Sequence, residues 1–215
     1  MKTGILFDLD GTLLDTLEDL TDSVNHTLAQ FGCPPRTKAE IRAFLGNGAR
    51  NLIARSLPGK ADDPDLDTVF TAYQAWYKTH SNIKTRPYDG ILEALEELGK
   101  AYPIAVVSNK SDQNVKDLCR EHFGADIYAL GETPDCPRKP APDMLYKGMA
   151  AIGVDTCVYV GDSEVDALVA KNAGVPCLTV LWGFRDEDLL RENGATHFCA
   201  DPKKLAKTLK ELIEN

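Results

Sequence analysis

Five short, uninterrupted apolar runs are the feature that most restricts how this chain can fold. A run without alternation suits a strand that is buried on both faces of a parallel sheet. The runs are Thr3–Phe7, Pro103–Ser108, Asp126–Leu130, Cys157–Gly161 and Pro176–Leu181. Between them the apolar spacing is helical, and one such helical face comprises Ile91, Leu92, Leu95 and Leu98. This alternation predicts an α/β fold with a doubly wound parallel sheet.

A long insertion interrupts the alternation directly after the first run. From about Thr16 to Asn82 the apolar residues have helical spacing and no strand pattern occurs, with Leu57–Pro64 as a loop between two helices. We therefore predict a Rossmann-like core domain made of residues 1–15 and 84–215. An all-helical cap domain is predicted for residues 16–83, inserted above the core.

Polar side chains stand at or directly after the ends of three apolar runs. These residues are Asp8, Ser108 and Asp162. In open parallel sheets, ligands bind in the crevice outside the carboxyl ends of the strands. We therefore expect the three side chains to face one crevice.

Asp8 and Asp10 have the clearest chemical meaning. Gly11 permits the tight turn that aims both carboxylates at one point. Two such acids suit Mg²⁺, and they also allow one to attack phosphorus while the other acts as general acid and then base. A solvated acidic turn is the alternative. A calcium loop is excluded, because Leu13 stands where that loop needs glycine and Asp19 where it needs glutamate.

Three further segments can complete a charge-balanced site. Asp162 can join Asp8 at a metal, although Asp162 and Asp166 are also explained as acids that stabilise a helix N-terminus. Lys139, set between two prolines, can neutralise a phosphate, with an exposed loop lysine as the alternative. The Ser108 hydroxyl can donate to a phosphate oxygen or cap the following helix.

In this order, the four elements resemble the haloacid dehalogenase superfamily of phosphohydrolases. The matching motifs are Asp8–Leu13, Ser108, Lys139 and Gly161–Asp166. The resemblance covers nearly the whole chain, including the helical insertion after the first motif. Within the superfamily, Phe44–Arg50 and Val106–Lys110 look most like phosphoglycolate phosphatases.

The resemblance implies a role for each motif residue. Asp8 would attack phosphorus and form an aspartyl phosphate, while Asp10 would protonate the leaving group and then activate water. Mg²⁺ would be held by Asp8, the backbone carbonyl of Asp10 and Asp162, with Asp166 supporting these ligands. The phosphoryl group would be held or oriented by Thr12, Ser108, Asn109 and Lys139. The implied activity is magnesium-dependent hydrolysis of a small phosphomonoester.

The cap is expected to select the leaving group. Asn47 and Arg50 lie on a glycine-flanked segment, and Arg50 can pair bidentately with a small carboxylate, which suits 2-phosphoglycolate. Ordinary surface charge is the alternative for Arg50. The alternative activities are a sugar-phosphate mutase similar to β-phosphoglucomutase, a nucleotidase and a pyrophosphatase. A non-catalytic binding module is disfavoured, because it has no need of unpaired buried carboxylates.

Charge and composition restrict the partners. The net charge of −9 and the pI of about 4.9 oppose binding to nucleic acids and anionic membranes. A small phosphorylated metabolite is therefore the expected partner. We see no signal-peptide pattern, no apolar run of ~20 residues and no Cys-x-x-Cys pair among the six cysteines. We expect a cytoplasmic monomer or homodimer.

Overall fold

The structure is a computed structural model, and it describes residues 1–59 and 64–214. The strands are β1 (Thr3–Phe7), β2 (Leu14–Asp15), β3 (Arg86–Pro87), β4 (Ile104–Ser111), β5 (Tyr128–Glu132), β6 (Thr156–Gly161), β7 (Cys177–Val180) and β8 (His197–Cys199). The helices are α1 (Leu17–Gln30), α2 (Lys38–Phe44), α3 (Ala49–Ser56), α4 (Leu66–His80), α5 (Ile91–Gly99), α6 (Asp112–Phe123), α7 (Asp143–Ile152), α8 (Glu164–Ala173), α9 (Glu187–Glu192) and α10 (Leu205–Glu214), with a 3-10 turn at Pro202–Lys204.

The chain forms two compact units. The first, called here the α/β unit, comprises Met1–Asp15 and the chain from Pro87 onward, and the second, the helical unit, comprises Thr16–Arg86. Six strands of the α/β unit form one parallel sheet in the order β5-β4-β1-β6-β7-β8. The strand order therefore reverses beside β1, which is where open α/β sheets bind ligands. Strands β2 and β3 form a separate two-stranded sheet.

Successive residues of β1 belong to two different apolar cores. Ile5 and Phe7 pack in one cluster with residues of α5, α6 and α10, whereas Leu6 packs in a second cluster with residues of α7 and α8. All three side chains are fully buried. Because both faces of the sheet are covered, its strands need apolar residues at every position, which explains the uninterrupted runs. The predicted doubly wound α/β fold is confirmed.

Three details of the α/β unit differ from the sequence-based prediction. Strand β4 continues to Ser111, so Ser108 lies inside it, but the register with β5 shifts after Val107, where the apolar run ends. Strand β8 was not predicted, because three residues are too few to show a pattern. On α5, Leu92 is 49% exposed and Ala94 is buried in its place.

Helix α8 begins and ends as its sequence predicts. Ser163 and Asp166 form a capping box, with Asp taking the place of the more common Glu. Gly174 ends the helix in the left-handed conformation, with φ of +71°.

The helical unit contains α1 to α4. Its core is formed by residues from all four helices, among them Leu20, Val24, Leu28, Ile41, Leu52, Ile53, Val69 and Tyr73. In the predicted loop Leu57–Pro64, residues 57–59 have no helix or strand, and residues 60–63 lie outside the described ranges.

The boundary of the helical unit lies three residues beyond the predicted one, at Arg86 instead of residue 83. The buried carboxylate of Asp19, on α1, accepts hydrogen bonds from the backbone N–H groups of Ile83, Lys84 and Thr85 at 2.8–3.0 Å. These bonds bind the returning chain to α1, and the apolar pattern of the sequence carries no sign of them.

Two expectations about the whole chain can be compared with the structure. Within residues 1–59 and 64–214, no helix has both the length and the apolar composition of a membrane span. The six cysteines, all within the described ranges, form no disulfide. The cytoplasmic location and the monomeric or homodimeric state stay predictions.

Candidate active site

Asp8 is the first residue after β1, and its backbone N–H donates to the Val160 carbonyl of β6 at 2.8 Å. Gly11 has a φ of +84°, and a Cβ there would lie 2.5 Å from Oδ2 of Asp162. Only glycine tolerates this combination. Oδ1 of Asp8 lies 2.9 Å from Nζ of Lys139, which is an ion-pair contact, and it accepts no hydrogen bond from any other group in the described part of the chain. Burial raises the pKa of Asp8 to about 6, against the opposing effect of Lys139.

Lys139 is held through its backbone as well as its ammonium group. Its peptide N–H donates to the Asn109 side-chain carbonyl at 2.8 Å, and its carbonyl accepts from the Asn109 amide at 2.9 Å. Its Nζ donates to the Tyr159 hydroxyl at 2.7 Å and to Asp166 at 2.8 Å, besides the contact with Asp8. Burial opposes the charge, but the two carboxylates outweigh it and hold the pKa of Lys139 above its usual value.

Asp162 follows β6 and is 2% exposed. Its Oδ1 accepts a hydrogen bond from the Thr12 hydroxyl at 3.2 Å, and its Oδ2 accepts one from the Phe184 backbone N–H at 2.7 Å. The pKa of Asp162 is raised to about 8, chiefly by burial and then by the charges of Asp166 and Asp8. The positive charge of Arg185 and the hydrogen bond from Phe184 lower the pKa but do not outweigh these effects.

Asp166 differs from Asp162 because each of its oxygens contacts two protein donors, whereas each oxygen of Asp162 contacts one. Oδ2 accepts from the backbone N–H and the hydroxyl of Ser163, at 3.0 and 2.6 Å. Oδ1 accepts from Lys139 at 2.8 Å and lies 3.1 Å from the Tyr159 hydroxyl. Burial, followed by the two neighbouring carboxylates, raises the pKa of Tyr159 well above its usual value, so this hydroxyl keeps its proton.

Asp10 occupies a more open position, with its side chain 20% exposed. Both of its carboxylate oxygens accept from Nζ of Lys110, at 2.9 and 3.2 Å. The Lys110 side chain is 6% exposed, so this ion pair is partly shielded from water. Ser108, also on β4, is buried, and its hydroxyl oxygen accepts from the Lys110 backbone N–H at 3.4 Å. Ser111, not Ser108, occupies the N-cap position of α6.

The sequence of residues 5–180 matches the family model of the haloacid dehalogenase-like hydrolases. The chain belongs to this family. The resemblance that was inferred from the four motifs is therefore confirmed.

Relatives of this hydrolase extend over nearly its full length. A phosphoglycolate phosphatase from Neisseria meningitidis serogroup A is 32% identical, over 99% of this chain and 92% of the relative. A phosphoglycolate phosphatase from Mesorhizobium japonicum is 35% identical, over 95% of each chain. The crystal structure of CbbY from Rhodobacter sphaeroides in complex with phosphate is 26% identical, with a TM-score of 0.80, over 98% of this chain and 100% of that one.

The charges of the hydrolase site fit a divalent cation. One oxygen from each of Asp8, Asp162 and Asp166 lies within 4.8 Å of the other two. These three carboxylates and Asp10 face two lysines, so with all four carboxylates ionised the site has two fewer positive than negative charges. Carboxylate oxygens are the ligands that hard divalent cations prefer. Asp8 Oδ1, whose one contact is Lys139, and Asp162, with one donor on each oxygen, are suited to such a cation, whereas each Asp166 oxygen already has two donors.

The two predicted cap residues lie in the helical unit. Asn47 precedes α3, and its backbone carbonyl accepts from the Asn51 side chain at 2.7 Å. Arg50 is in the first turn of α3, where its guanidinium pairs with Asp67 and lies 5.9 Å from the centre of the Phe70 ring. Their predicted role in substrate binding stays a prediction.

Lys110, Tyr159 and the backbone contact made by Phe184 were not singled out from the sequence. In the sequence, Lys110 stands out only as a neighbour of Ser108, and Tyr159 is one residue of an apolar run. Phe184 reaches Asp162 through its backbone N–H, which no side-chain pattern reveals. The one available signal was Lys110, which comes two residues after an apolar run. Buried lysines are rare unless they are paired, so a lysine at this position indicates a nearby acidic partner.

Proposed function

We propose that this protein is a Mg²⁺-dependent phosphatase that hydrolyses a small phosphomonoester, with 2-phosphoglycolate as its preferred substrate. The observation that carries the proposal is the position of Asp8. Its carboxylate contacts the Lys139 ammonium and lies in the same cluster as Asp162. A nucleophile thus lies 2.9 Å from a phosphate-neutralising cation and has an oxygen within 4.8 Å of an oxygen of a candidate metal ligand.

Asp8 is the proposed nucleophile. With a pKa of about 6 it is mostly ionised at neutral pH. One of its oxygens forms a bond to phosphorus while the ester P–O bond breaks, and the leaving alkoxide takes a proton from Asp10. Water then attacks phosphorus and gives a proton to Asp10, while the bond between phosphorus and the Asp8 oxygen breaks. This step releases phosphate and regenerates the Asp8 carboxylate.

Lys110 is proposed to orient Asp10 for both proton transfers, since it contacts both oxygens of that carboxylate. Lys139 and Ser108 are proposed to hold the phosphoryl oxygens. Asn109 and Thr12, which were predicted to contact the substrate, are suited to act indirectly. Asn109 grips the Lys139 backbone, and Thr12 donates to Asp162.

Asp8, the backbone carbonyl of Asp10 and Asp162 are the proposed ligands of Mg²⁺, supported by Asp166. When bound, Mg²⁺ neutralises charge on the phosphoryl oxygens during transfer. Lys139 supplies fixed positive charge to the same oxygens. Its two carboxylate partners keep it protonated, so it holds this charge throughout the neutral pH range.

A panel assay tests the proposed function. Release of inorganic phosphate is measured from 2-phosphoglycolate, β-glucose 1-phosphate, a nucleoside monophosphate and pyrophosphate, with Mg²⁺ or with EDTA. We expect the highest kcat/KM for 2-phosphoglycolate and no turnover in EDTA. Asp8→Asn should lower kcat by at least about 1,000-fold, because the nucleophile is lost. Turnover of this variant at the wild-type rate, or of the wild type in EDTA, would refute the mechanism.

The substrate assignment is tested at Arg50. Relatives named as phosphoglycolate phosphatases support a substrate with a carboxylate, and the Arg50 side chain is 48% exposed and already pairs with one carboxylate, that of Asp67. Arg50→Ala should lower kcat/KM for 2-phosphoglycolate by about 10-fold or more, while a phosphomonoester without a carboxylate is affected much less. Arg55→Ala, on the same helix and also exposed, is the matched control. An equal loss with both substrates would contradict carboxylate recognition by Arg50.

A further inference from the structure

Trp182–Arg185 follows β7 and contacts the loops that carry Asp8 and Asp162. None of its side chains has a part in the proposed chemistry. We propose that Trp182 and Gly183 are positioning residues that set the affinity for Mg²⁺ by fixing the orientation of Asp162. The inference rests on the proposed function only in taking Asp162 as a ligand of Mg²⁺.

Asp162 is held from two sides. The Phe184 backbone N–H donates to Oδ2 at 2.7 Å, and the Thr12 hydroxyl donates to Oδ1 at 3.2 Å. The two donors belong to segments that are far apart in the chain. Because each oxygen has its own donor, the plane of the carboxylate is fixed, which leaves the remaining lone pairs for a cation.

Trp182 controls the second of these donors. Its indole N–H donates to the Thr12 backbone carbonyl at 3.0 Å. The indole is half-buried against the larger apolar core, with the Tyr88 ring 6.4 Å away. The fixed ring therefore holds the Thr12 backbone in place, and with it the hydroxyl that contacts Asp162.

Gly183 permits the close approach of the segment. A Cβ at this position would lie 2.3 Å from the Asp162 Cβ, 2.4 Å from its Oδ2 and 2.5 Å from the Gly11 carbonyl oxygen. No real Cβ fits at such distances, so any other residue would displace either Asp162 or the Gly11 turn. Position 183 thus requires glycine because Asp162, the candidate metal ligand, lies against it.

Arg185 anchors the end of the segment. Its Nε and one terminal nitrogen contact the two oxygens of Glu164, at 2.7 and 3.3 Å. The Arg185 side chain is 7% exposed, and Glu164 is two residues beyond Asp162. A bidentate pair of this kind restricts the geometry of both partners. The segment is therefore fastened at both ends to the loops on which the site is built.

The test measures Mg²⁺ binding by isothermal titration calorimetry, without substrate, on the full chain. Trp182→Phe removes the indole donor and keeps an aromatic ring, and Gly183→Ala introduces the clashing Cβ. We expect Mg²⁺ affinity to fall about 10-fold in the first variant and up to about 100-fold in the second. Trp76→Phe is the matched control, because Trp76 is the other tryptophan and stacks between two histidines of the helical unit. This variant should bind Mg²⁺ as the wild type does.

Thermal unfolding in EDTA separates positioning from general stability. A purely structural role would lower the Tm of Trp182→Phe in EDTA and leave its Mg²⁺ affinity unchanged, which would overturn the inference. So would a wild type that binds no Mg²⁺. The supporting result is weakened binding with kcat restored at saturating Mg²⁺. If the variants weaken Mg²⁺ binding but the wild type hydrolyses no phosphomonoester, the proposed function fails and the positioning inference stands.

Discussion

Asp19 in the helical unit and Asp162 in the α/β unit are equally buried, at 2% exposure each, but their surroundings are opposite. Asp19 accepts hydrogen bonds from three successive backbone N–H groups and from the Thr85 hydroxyl. Asp162 accepts one from a backbone N–H and one from a hydroxyl. Two further carboxylates, those of Asp8 and Asp166, lie close to it. One oxygen of each is within 4.8 Å of an Asp162 oxygen.

The difference separates a structural carboxylate from a functional one. Donors from residues 83–85 compensate Asp19 for the loss of water, so its charge is satisfied inside the fold. The charge of Asp162 is not satisfied, as the rise of its pKa to about 8 indicates. A buried carboxylate with surplus negative charge around it needs a proton or a cation. Burial alone does not distinguish the two residues, whereas the number of donors and the sign of the neighbouring charges do.

The largest expected effect concerns activity. Asp162→Asn should lower kcat/KM by at least about 100-fold, because an amide replaces a charged group at the reacting centre. Asp19→Asn, the same change at the satisfied carboxylate, should leave the turnover of each folded molecule within about twofold. Steady-state kinetics normalised to the folded fraction measures both. Comparable losses in the two variants would break the distinction.

The next effect concerns stability, for which we expect the substitution at Asp19 to cost more than the substitution at Asp162. Asp19→Ala removes an acceptor shared by several buried donors and should lower the free energy of unfolding by about 2–4 kcal/mol. Asp162→Asn in EDTA should cost nothing or stabilise the protein, because an uncompensated charge is removed. Urea denaturation of both variants in EDTA measures the difference. A large destabilisation by Asp162→Asn would show that this carboxylate also has a structural function.

The smallest effect is a pH dependence of the metal-free protein. The pKa values of Asp8 and Asp162 are raised from 3.8 to about 6 and about 8, so the native state binds these protons more tightly than the unfolded chain. Their contribution to stability is complete below pH ~4 and is lost as the pH rises through the two native values. In EDTA, Tm should therefore fall by a few degrees between about pH 5.5 and 8.5. The upper part of this fall should vanish in Asp162→Asn and with saturating Mg²⁺, and a flat wild-type profile in EDTA would contradict the two raised pKa values.

The residues of the site that directly follow a strand could be predicted from the sequence. Asp8 and Asp162 follow the adjacent strands β1 and β6, and the rule for open parallel sheets was sufficient to place them together. Backbone contacts could not be predicted in the same way. The grip of Phe184 on Asp162 and the closure of the helical unit by Asp19 depend on N–H groups that every residue possesses. Their partners are known only once the chain is folded.

Asn109 has a partner in the fold that the sequence did not indicate, for a related reason. The sequence places it beside Ser108, which suggested the phosphate, whereas its amide is bound to the Lys139 backbone by two hydrogen bonds. Side-chain amides suit both tasks equally well. Only the tertiary position of the Lys139 loop distinguishes between them.

The capping box of α8 has an evolutionary consequence. With one carboxylate oxygen, Asp166 accepts a hydrogen bond from Ser163 and so caps the N-terminus of that helix. With the other oxygen, it accepts one from the Lys139 ammonium. Glutamate is the more common residue at this position of a capping box, but its extra methylene would displace the contact with Lys139. A change from aspartate to glutamate, which is harmless at the start of an ordinary helix, is therefore not tolerated at position 166. A lineage that lost the activity would be free to replace Asp166, and the appearance of glutamate there would be an early sign of that loss.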